Sequence, residues 1–485
     1  MPGLASPSVT QLHDLTALEQ AAAVRAGEVS PTELVRHALD RVAALDAGLG
    51  AFVTVTPERA LAAAAAAEAR VRAGGELPPL LGVPTAIKDL NNTAGVRTTF
   101  GCPVFADFVP TTDDAVVTKL AAAGTISLGK TNTPEFGFPC YTDNDLVGPA
   151  RSPWDPQRLA GGSSGGAAVA VAAGMVPFAQ GSDGGGSIRI PASVNGLFGI
   201  KPTRGRVSNA PFGSDVTGLG TNGPLARTVR DAAAMLDAMA GPVTGDAAWA
   251  PPLPPGETFL AAADRPVGRL RIGRALESPM PGAVLQPEVT AALDDAAALL
   301  ESLGHEVADV PGGLLTPDVL AAFERVWSLS GTLLPVPPER VGELRPLTRE
   351  LRGRGLALSA QAAMEALTAL RLFSRRYVEA TDAFDVLLSP VTTMTPRPLG
   401  WFDADGDGAA DFERQKAYAA FTALYNVTGQ PAVSVPLHWT GDGLPVGTML
   451  VGRPADEVTL VALAAQLEQA RPWAHRHPPG WHADA

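Results

Sequence analysis

Apolar residues recur at three- and four-residue intervals through DLTALEQAAAVRAGEVSPTELVRHALDRVAALDAGL, and LAAAAAAEARVRAG carries the pattern on to Gly74 and Gly75, so residues 14–70 read as helices. Ser30, Pro31 and Glu33 form a helix start of the type S-P-x-E, in which hydroxyl and carboxylate satisfy open amides and proline occupies the first turn. From about residue 76 to 240 the pattern changes to short apolar runs cut by Gly, Pro and Ser: LLGVPTAIKDL, GTISLGKT, MVPFAQGSD and GLFGIKPT. These predict buried strands, alternating with the helices AVVTKLAAAG and GGAAVAVAAG. A Pro-rich stretch at 245–259 is followed by a strand in GRLRIGRAL, a helix over 287–304 and helical spacing over about 316–381. Strand character returns at 385–393, 431–439 and 447–452. With no internal repeat, the simplest topology is one mixed sheet whose late strands rejoin the early ones, an α/β architecture.

Composition narrows the class. The 485 residues are 46% hydrophobic and 18% charged with 51 Gly and 44 Pro, which suits a turn-rich globular enzyme and not a disordered chain. A net charge of -13 without a basic cluster argues against nucleic acid as a partner. Cys102 and Cys140 have neither metal-site spacing nor the density of a disulfide framework and read as ordinary thiols. The opening MPGLASPSVTQLHDLTALEQ lacks the basic and apolar regions of a signal peptide, and the apolar run at 167–179 is broken by Gly174 and Pro177, so no membrane association and a cytoplasmic location are expected.

Three motifs suggest chemistry that their context does not support. GTISLGKT at 124–131 satisfies the phosphate-loop pattern, but a helix precedes it and the strand lies inside it, the reverse of what phosphate binding needs. GGSSGG at 161–166 matches G-x-S-x-G twice, yet the loop RSPWDPQRLA stands where the strand of a nucleophile elbow belongs, and the downstream histidines are only His305, His438 and three near the C-terminus. DADGDGAADFER at 403–414 starts like a calcium loop but has Arg414 where the bidentate Glu is required, and reads as an acidic surface turn.

Two glycine-serine segments remain, GGSSGG and GSDGGGS, the second ending at Ser187. Consecutive glycines allow close approach, and the amides of Gly184, Gly185, Gly186 and Ser187 can converge on an oxyanion while Ser187 attacks a carbonyl. A serine needs a base, and no histidine lies between His37 and His305. Lys88, set in the apolar LLGVPTAIKDL, is the candidate, because burial disfavours its charged form; the competing reading is an ion pair with a carboxylate such as Asp89.

At this point the chain resembles the amidase signature family. The run GGSSGGAAVAVAAGMVPFAQGSDGGGSIRIPASVNGLFGIKPTRGRVS is similar to its defining block, Ile87-Lys88-Asp89 matches its upstream lysine motif, and Ser163 and Ser187 follow Lys88 by 75 and a further 24 residues. The similarity runs from LTALEQAAAVRAGEVSPTELV to FTALYNVTGQPAVSVPLHWTGDGLPVGTMLVGR. It implies an α/β amidase signature fold, a central mixed β-sheet covered by helices on both faces. It also implies a Ser-cisSer-Lys triad: Ser187 as acyl-enzyme nucleophile, Ser163 as bridging hydroxyl after a cis peptide, Lys88 as the neutral base. Ser164, Asp183 and Arg189 become supports of the loop, and Phe136, Gly137, Phe138 and Tyr141 candidate substrate contacts. Gly184 stands where Thr or Ile is usual in the family, and Ala160 where Pro is common.

The resemblance implies a single domain over residues 1–485: N-terminal helices to 75, a signature core over 76–240, a variable, mostly helical region over 241–384, and C-terminal strands and helix over 385–485 that rejoin the core. It implies hydrolysis of small, rather apolar linear, cyclic or aryl amides, no metal or organic cofactor, and a homodimer. The D-G-G-G-S-I-R form and LGWFD at 399–403 are similar to the branch containing 6-aminohexanoate cyclic dimer hydrolases, which act on a nylon oligomer. The alternative within the family is the glutamine-hydrolysing component of a tRNA-dependent amidotransferase. Against it, NAPFGSDVTGLGTNGPLARTVRD lacks the ASSLDQ-like segment expected of that component.

Overall fold

The computed structural model describes residues 11–213, 216–278, 280 and 282–482; residues 1–10 of the opening segment and 214–215 of the segment after RGRVS lie outside the described residues. The N-terminal part holds α1 (Ala17–Ala26), α2 (Pro31–Leu49), β1 (Phe52–Val55) and α3 (Pro57–Ala73). The expected start of α2 is present as a full capping box: Ser30 accepts from the Glu33 amide and Glu33 from the Ser30 amide. The helical reading of 14–70 needs one correction, since Phe52–Val55 is a strand. Its four residues, FVTV, are all β-branched or aromatic, and pairing with β3 (Ile126–Thr131) decides their conformation.

The core continues with β2 (Pro84–Lys88), α4 (Ala115–Ala122), β4 (Arg151–Ser152), β5 (Asp155–Leu159), α5 (Gly165–Ala172), β6 (Phe178–Asp183), α6 (Arg189–Val194), β7 (Phe198–Lys201), β8 (Thr221–Ala226) and α7 (Val229–Met239). After it come α8 (Phe259–Ala262), β9 (Arg271–Arg274), α9 (Pro287–Ser302), β10 (Glu306–Asp309), α10 (Pro317–Ser330), α11 (Pro346–Leu356) and α12 (Ala360–Thr381). The chain closes with β11 (Val386–Pro390), α13 (Gly408–Tyr418), α14 (Leu424–Thr428), β12 (Ala432–Trp439), β13 (Pro445–Gly452) and α15 (Glu457–Ala470).

Eight strands form a mixed sheet in the order β10-β9-β11-β13-β12-β7-β8-β6, in which late β12 pairs with early β7 as expected. Alternation sends successive side chains to opposite faces: Val433 and Leu450 join a core with α7 and α15, while Ala432, Met449 and Val451 join another with α10 and α12. The one-sheet expectation is corrected, because β1, β3 and β2 make a separate three-stranded sheet. Its edge strand β2 meets edge strand β6 through side chains, not a ladder: Thr85 donates to the Phe178 carbonyl at 3.2 Å, and the Lys88 amide donates to Gln180 Oε1 at 2.8 Å. Gln180 thus occupies the seam, and Lys88 ends β2 beside it.

Helix α5 is buried on every side, as its unbroken apolar sequence demands. Gly166 permits its depth, since a Cβ there would stand 2.3 Å from the Asn132 nitrogen and 2.4 Å from the Ala51 oxygen. Among the described residues no helix is long and apolar enough to cross a membrane.

Candidate active site

Lys88 is fully buried, and its Nζ lies 2.7 Å from Ser163 Oγ, 3.0 Å from Ser182 Oγ and 3.3 Å from the Ser182 carbonyl. Burial pushes its pKa down from 10.5 to about 7, with the Asp183 charge opposing the shift. Asp89 is not its partner. Adjacent residues leaving a strand point to opposite sides, and Asp89 instead faces Lys130 at 3.4 Å while accepting from the Thr99 amide at 2.9 Å and hydroxyl at 2.5 Å. The lysine of the phosphate-loop look-alike therefore neutralises the carboxylate next to Lys88.

Ser163 and Ser164 sit just before α5, and the Gly162–Ser163 peptide is cis. Gly162 passes so near Tyr141 that a Cβ would fall 2.5 Å from its carbonyl carbon, and a Cβ on Gly137 would stand 3.1 Å from Ser163 Oγ. Ser164 Oγ donates to the Ser182 carbonyl at 3.1 Å and accepts from its amide at 3.2 Å. The Ser164 amide donates to the Ser187 carbonyl at 3.1 Å, which fastens the two glycine-serine segments together.

Ser187 lies in the turn between β6 and α6, 7% exposed. Asp183 organises this turn, accepting from the amides of Gly186 at 2.8 Å and Ile188 at 3.1 Å and from both arms of Arg189 at 2.9 Å. Burial alone would raise the Asp183 pKa; the Arg189 guanidinium overrides it and holds the carboxyl well below the usual range. Arg189 reaches on to Asn426 Oδ1 at 2.6 Å and the Thr422 carbonyl at 2.8 Å, and Thr422 donates to the Gly185 carbonyl at 2.6 Å. This corrects the oxyanion expectation: the Gly186 amide is committed to Asp183, which leaves those of Gly184, Gly185 and Ser187 without an acceptor among the described residues. Gly186 has φ of 132°, and a Cβ there would meet Thr422 Oγ1 at 2.3 Å.

A cavity of about 100 Å³ opens at Ser187, walled by Phe138, Ile190, Phe323, Trp327, Phe412 and Leu424 among others. The aromatic contacts need correction. Phe138 lines this space, whereas Phe136 packs among Phe100 and Phe105, and Tyr141 stacks on Phe402 and donates to Asp411 at 2.8 Å, facing a neighbouring cavity. Phe136 has φ of 51°, so the chain kinks there, and of the two rings that of Phe138 lines the cavity. Besides Ser187, two polar side chains among the described residues line the apolar cavity and both are engaged: Gln415 holds the Cys140 amide at 2.9 Å and Asp411 at 2.8 Å, and Lys416 pairs with Glu413 at 2.7 Å and with Glu324. Trp327 covers the glycines, since a Cβ on Gly184 would stand 3.5 Å from its ring.

The residues of this site lie within a match to the Amidase family model over residues 33–461. The chain belongs to the amidase signature family. The amidase is 41% identical over 475 residues to the Mycobacterium tuberculosis protein named "Putative amidase AmiB2", covering 97% of this chain and 99% of the relative. It is 37% identical over 495 residues to a glutamyl-tRNA(Gln) amidotransferase component of Thioalkalivibrio sulfidiphilus, covering 97% of this chain and all of that one. A structure of 6-aminohexanoate cyclic dimer hydrolase complexed with substrate superposes with a TM-score of 0.88 at 32% identity over 97% of this chain and 99% of that one. Hydrolysis of carbon–nitrogen bonds is the activity of this amidase.

Several residues of the site carry little signal in the sequence. Ser182 is one small residue among many in its run, and Asn426 is signalled only as a polar residue inside the apolar FTALYNVTG. Trp327 comes from α10, whose helical pattern shows that it packs but not against what.

Proposed function

We propose that this amidase hydrolyses small, apolar linear, cyclic or aryl amides through an acyl-enzyme on Ser187. The observation that carries this reading is the apolar cavity at Ser187 together with the buried Lys88–Ser163 hydrogen bond. A neutral amine has two N–H donors and one lone pair. Ser182 offers two acceptors, its Oγ and carbonyl, and the lone pair then takes the Ser163 hydroxyl hydrogen.

In the first half-reaction Ser187 Oγ bonds to the amide carbon as its proton passes to Ser163 and that of Ser163 to Lys88. The amides of Gly184, Gly185 and Ser187 face the developing oxyanion. The proton returns along the same path to the nitrogen, the carbon–nitrogen bond breaks and the amine leaves. Water then attacks the ester by the same relay, releasing the acid and restoring Ser187. The Ser163 and Ser187 hydroxyls make no mutual hydrogen bond in the resting structure, as is common before substrate draws such groups together.

A second reading, glutamine hydrolysis within an amidotransferase, is favoured by the similarity to the Thioalkalivibrio protein. Glutamine carries an ammonium and a carboxylate, and the one charged group that lines the cavity among the described residues, Lys416, already has two acidic partners. The test is amine release from an aryl acetanilide, a fatty acyl amide, glutamine and the 6-aminohexanoate cyclic dimer, with Ser187→Ala as the blank. Turnover of an apolar member by wild type alone supports the proposal; turnover of glutamine alone replaces it with the second reading.

A further inference from the structure

Away from the Ser187 cavity, the first described residues meet the C-terminal tail in a cluster rich in histidine. His13, at 7% exposure, places its Nδ1 2.9 Å from His37 Nε2, while its Nε2 has no hydrogen-bond partner and lies 4.0 Å from Asp14 Oδ1. Ring nitrogens of His13 and His482 and a carboxylate oxygen of Asp14 all fall within 4.8 Å of one another. We infer that His13, Asp14 and His482 form a binding site for a zinc-class divalent metal that clips the two ends of the chain together.

The tautomer supports this assignment. If His13 Nδ1–H donates to His37, the buried Nε2 is left as a bare lone pair, and a histidine oriented through its other ring nitrogen is how proteins present imidazole to a metal. Asp14 is also held in place, accepting from Trp481 Nε1 at 2.8 Å and from the Gln11 amide at 2.8 Å with lone pairs remaining. Trp481 in turn stacks on His477, whose Nδ1 has no hydrogen-bond partner among the described residues.

Two nitrogens and a carboxylate oxygen without a thiolate suit zinc and its neighbours in the first transition row. Bonds of ~2.0–2.1 Å in a tetrahedron put ligand atoms about 3.3 Å apart. His482 is exposed near the chain end and closes the remaining distance by side-chain rotation, whereas buried His13 stays fixed. Arg41 and Arg227 flank Trp481 at 5.8 and 4.9 Å, and their charges set the affinity below that of a fully anionic site.

The test is isothermal titration of chelator-treated full-length protein with Zn²⁺, repeated with Co²⁺ to read the visible absorption of a tetrahedral nitrogen–oxygen site. One equivalent is expected in wild type, weakened by on the order of 10-fold or more in His482→Ala and in His13→Asn, with amide turnover unchanged. Zn²⁺ is expected to raise the melting temperature of wild type but not of His482→Ala. Because His482 is exposed, that variant folds even if His13→Asn does not. No saturable binding in wild type, or binding by His482→Ala equal to wild type, overturns the inference.

Discussion

Lys130 and Asp89 form a closed pair 3.4 Å apart in the interior, one residue along the chain from Lys88. Both side chains are at most 1% exposed, and Lys130 also donates to the Asn91 carbonyl at 2.5 Å and to Thr98 Oγ1 at 2.7 Å. Removing one partner strands a buried charge, so Lys130→Met is expected to lose about 3–5 kcal/mol of stability, and Lys130→Met with Asp89→Leu distinctly less. Urea unfolding checks this. A Lys130→Met midpoint equal to wild type would mean that Asp89 has another partner.

The proposed reaction path needs Lys88 neutral, and burial brings its pKa to about 7. Below that value kcat/KM is expected to fall about tenfold per pH unit, with a plateau above it. Lys201, also buried, is lowered to about 7 by burial and by Arg189, so Lys201→Met is the control: the inflection survives in it if Lys88 is the base. The stability linkage has the same origin. Between pH 7 and 10.5 the unfolded chain binds more protons at Lys88 and at Lys201 than the native one, so stability rises with pH across that window, and Lys88→Met removes the Lys88 part of this slope and leaves that of Lys201.

The order of elements and the chemistry-bearing residues were readable because they rest on local rules: period in β11 to β13, a capping box at α2, and spacing between Lys88, Ser163 and Ser187. What escaped depends on contacts distant in sequence. The separation of β2 from β6 turns on the side chains of Thr85 and Gln180, which stand where ladder bonds would run. The loss of Gly186 as an oxyanion donor turns on the orientation of Asp183, and the absence of Phe136 from the cavity wall on a left-handed residue within TPEFGFP. DADGDG resolves to ordinary uses: Asp407 caps α13 through the Ala409 amide at 2.8 Å, and Asp405 pairs with Arg414.

The charge of Asp183 holds the Lys88 pKa up against burial. Asp183→Asn removes that charge, so the acid limb of the rate profile is expected to move to lower pH. The same change weakens the hold on Arg189 and on the Gly186 and Ile188 amides, and kcat is expected to fall on the order of 10²-fold or more as the turn loosens. A purely structural role for Asp183 would lower kcat and leave the limb where it is. The pH profile, not the rate alone, separates the two.

Gly184 and Trp327 are a matched pair. A Cβ on Gly184 would only touch the indole at 3.5 Å, but the branches of Thr, the residue common here in the family, extend beyond it and displace the ring. Trp327→Ala is expected to enlarge the cavity, lowering kcat/KM for a small aryl amide on the order of tenfold while favouring bulkier acyl groups. Gly184→Thr is expected to weaken the same substrate by steric pressure on the indole, and the two together to lose less than the sum, because Thr refills space that the indole vacated. A double-mutant cycle on kcat/KM measures this coupling. Strict additivity would show that Trp327 and position 184 act on substrate independently, and would move the determinant of acyl size to the other walls, Phe138, Phe323 and Phe412.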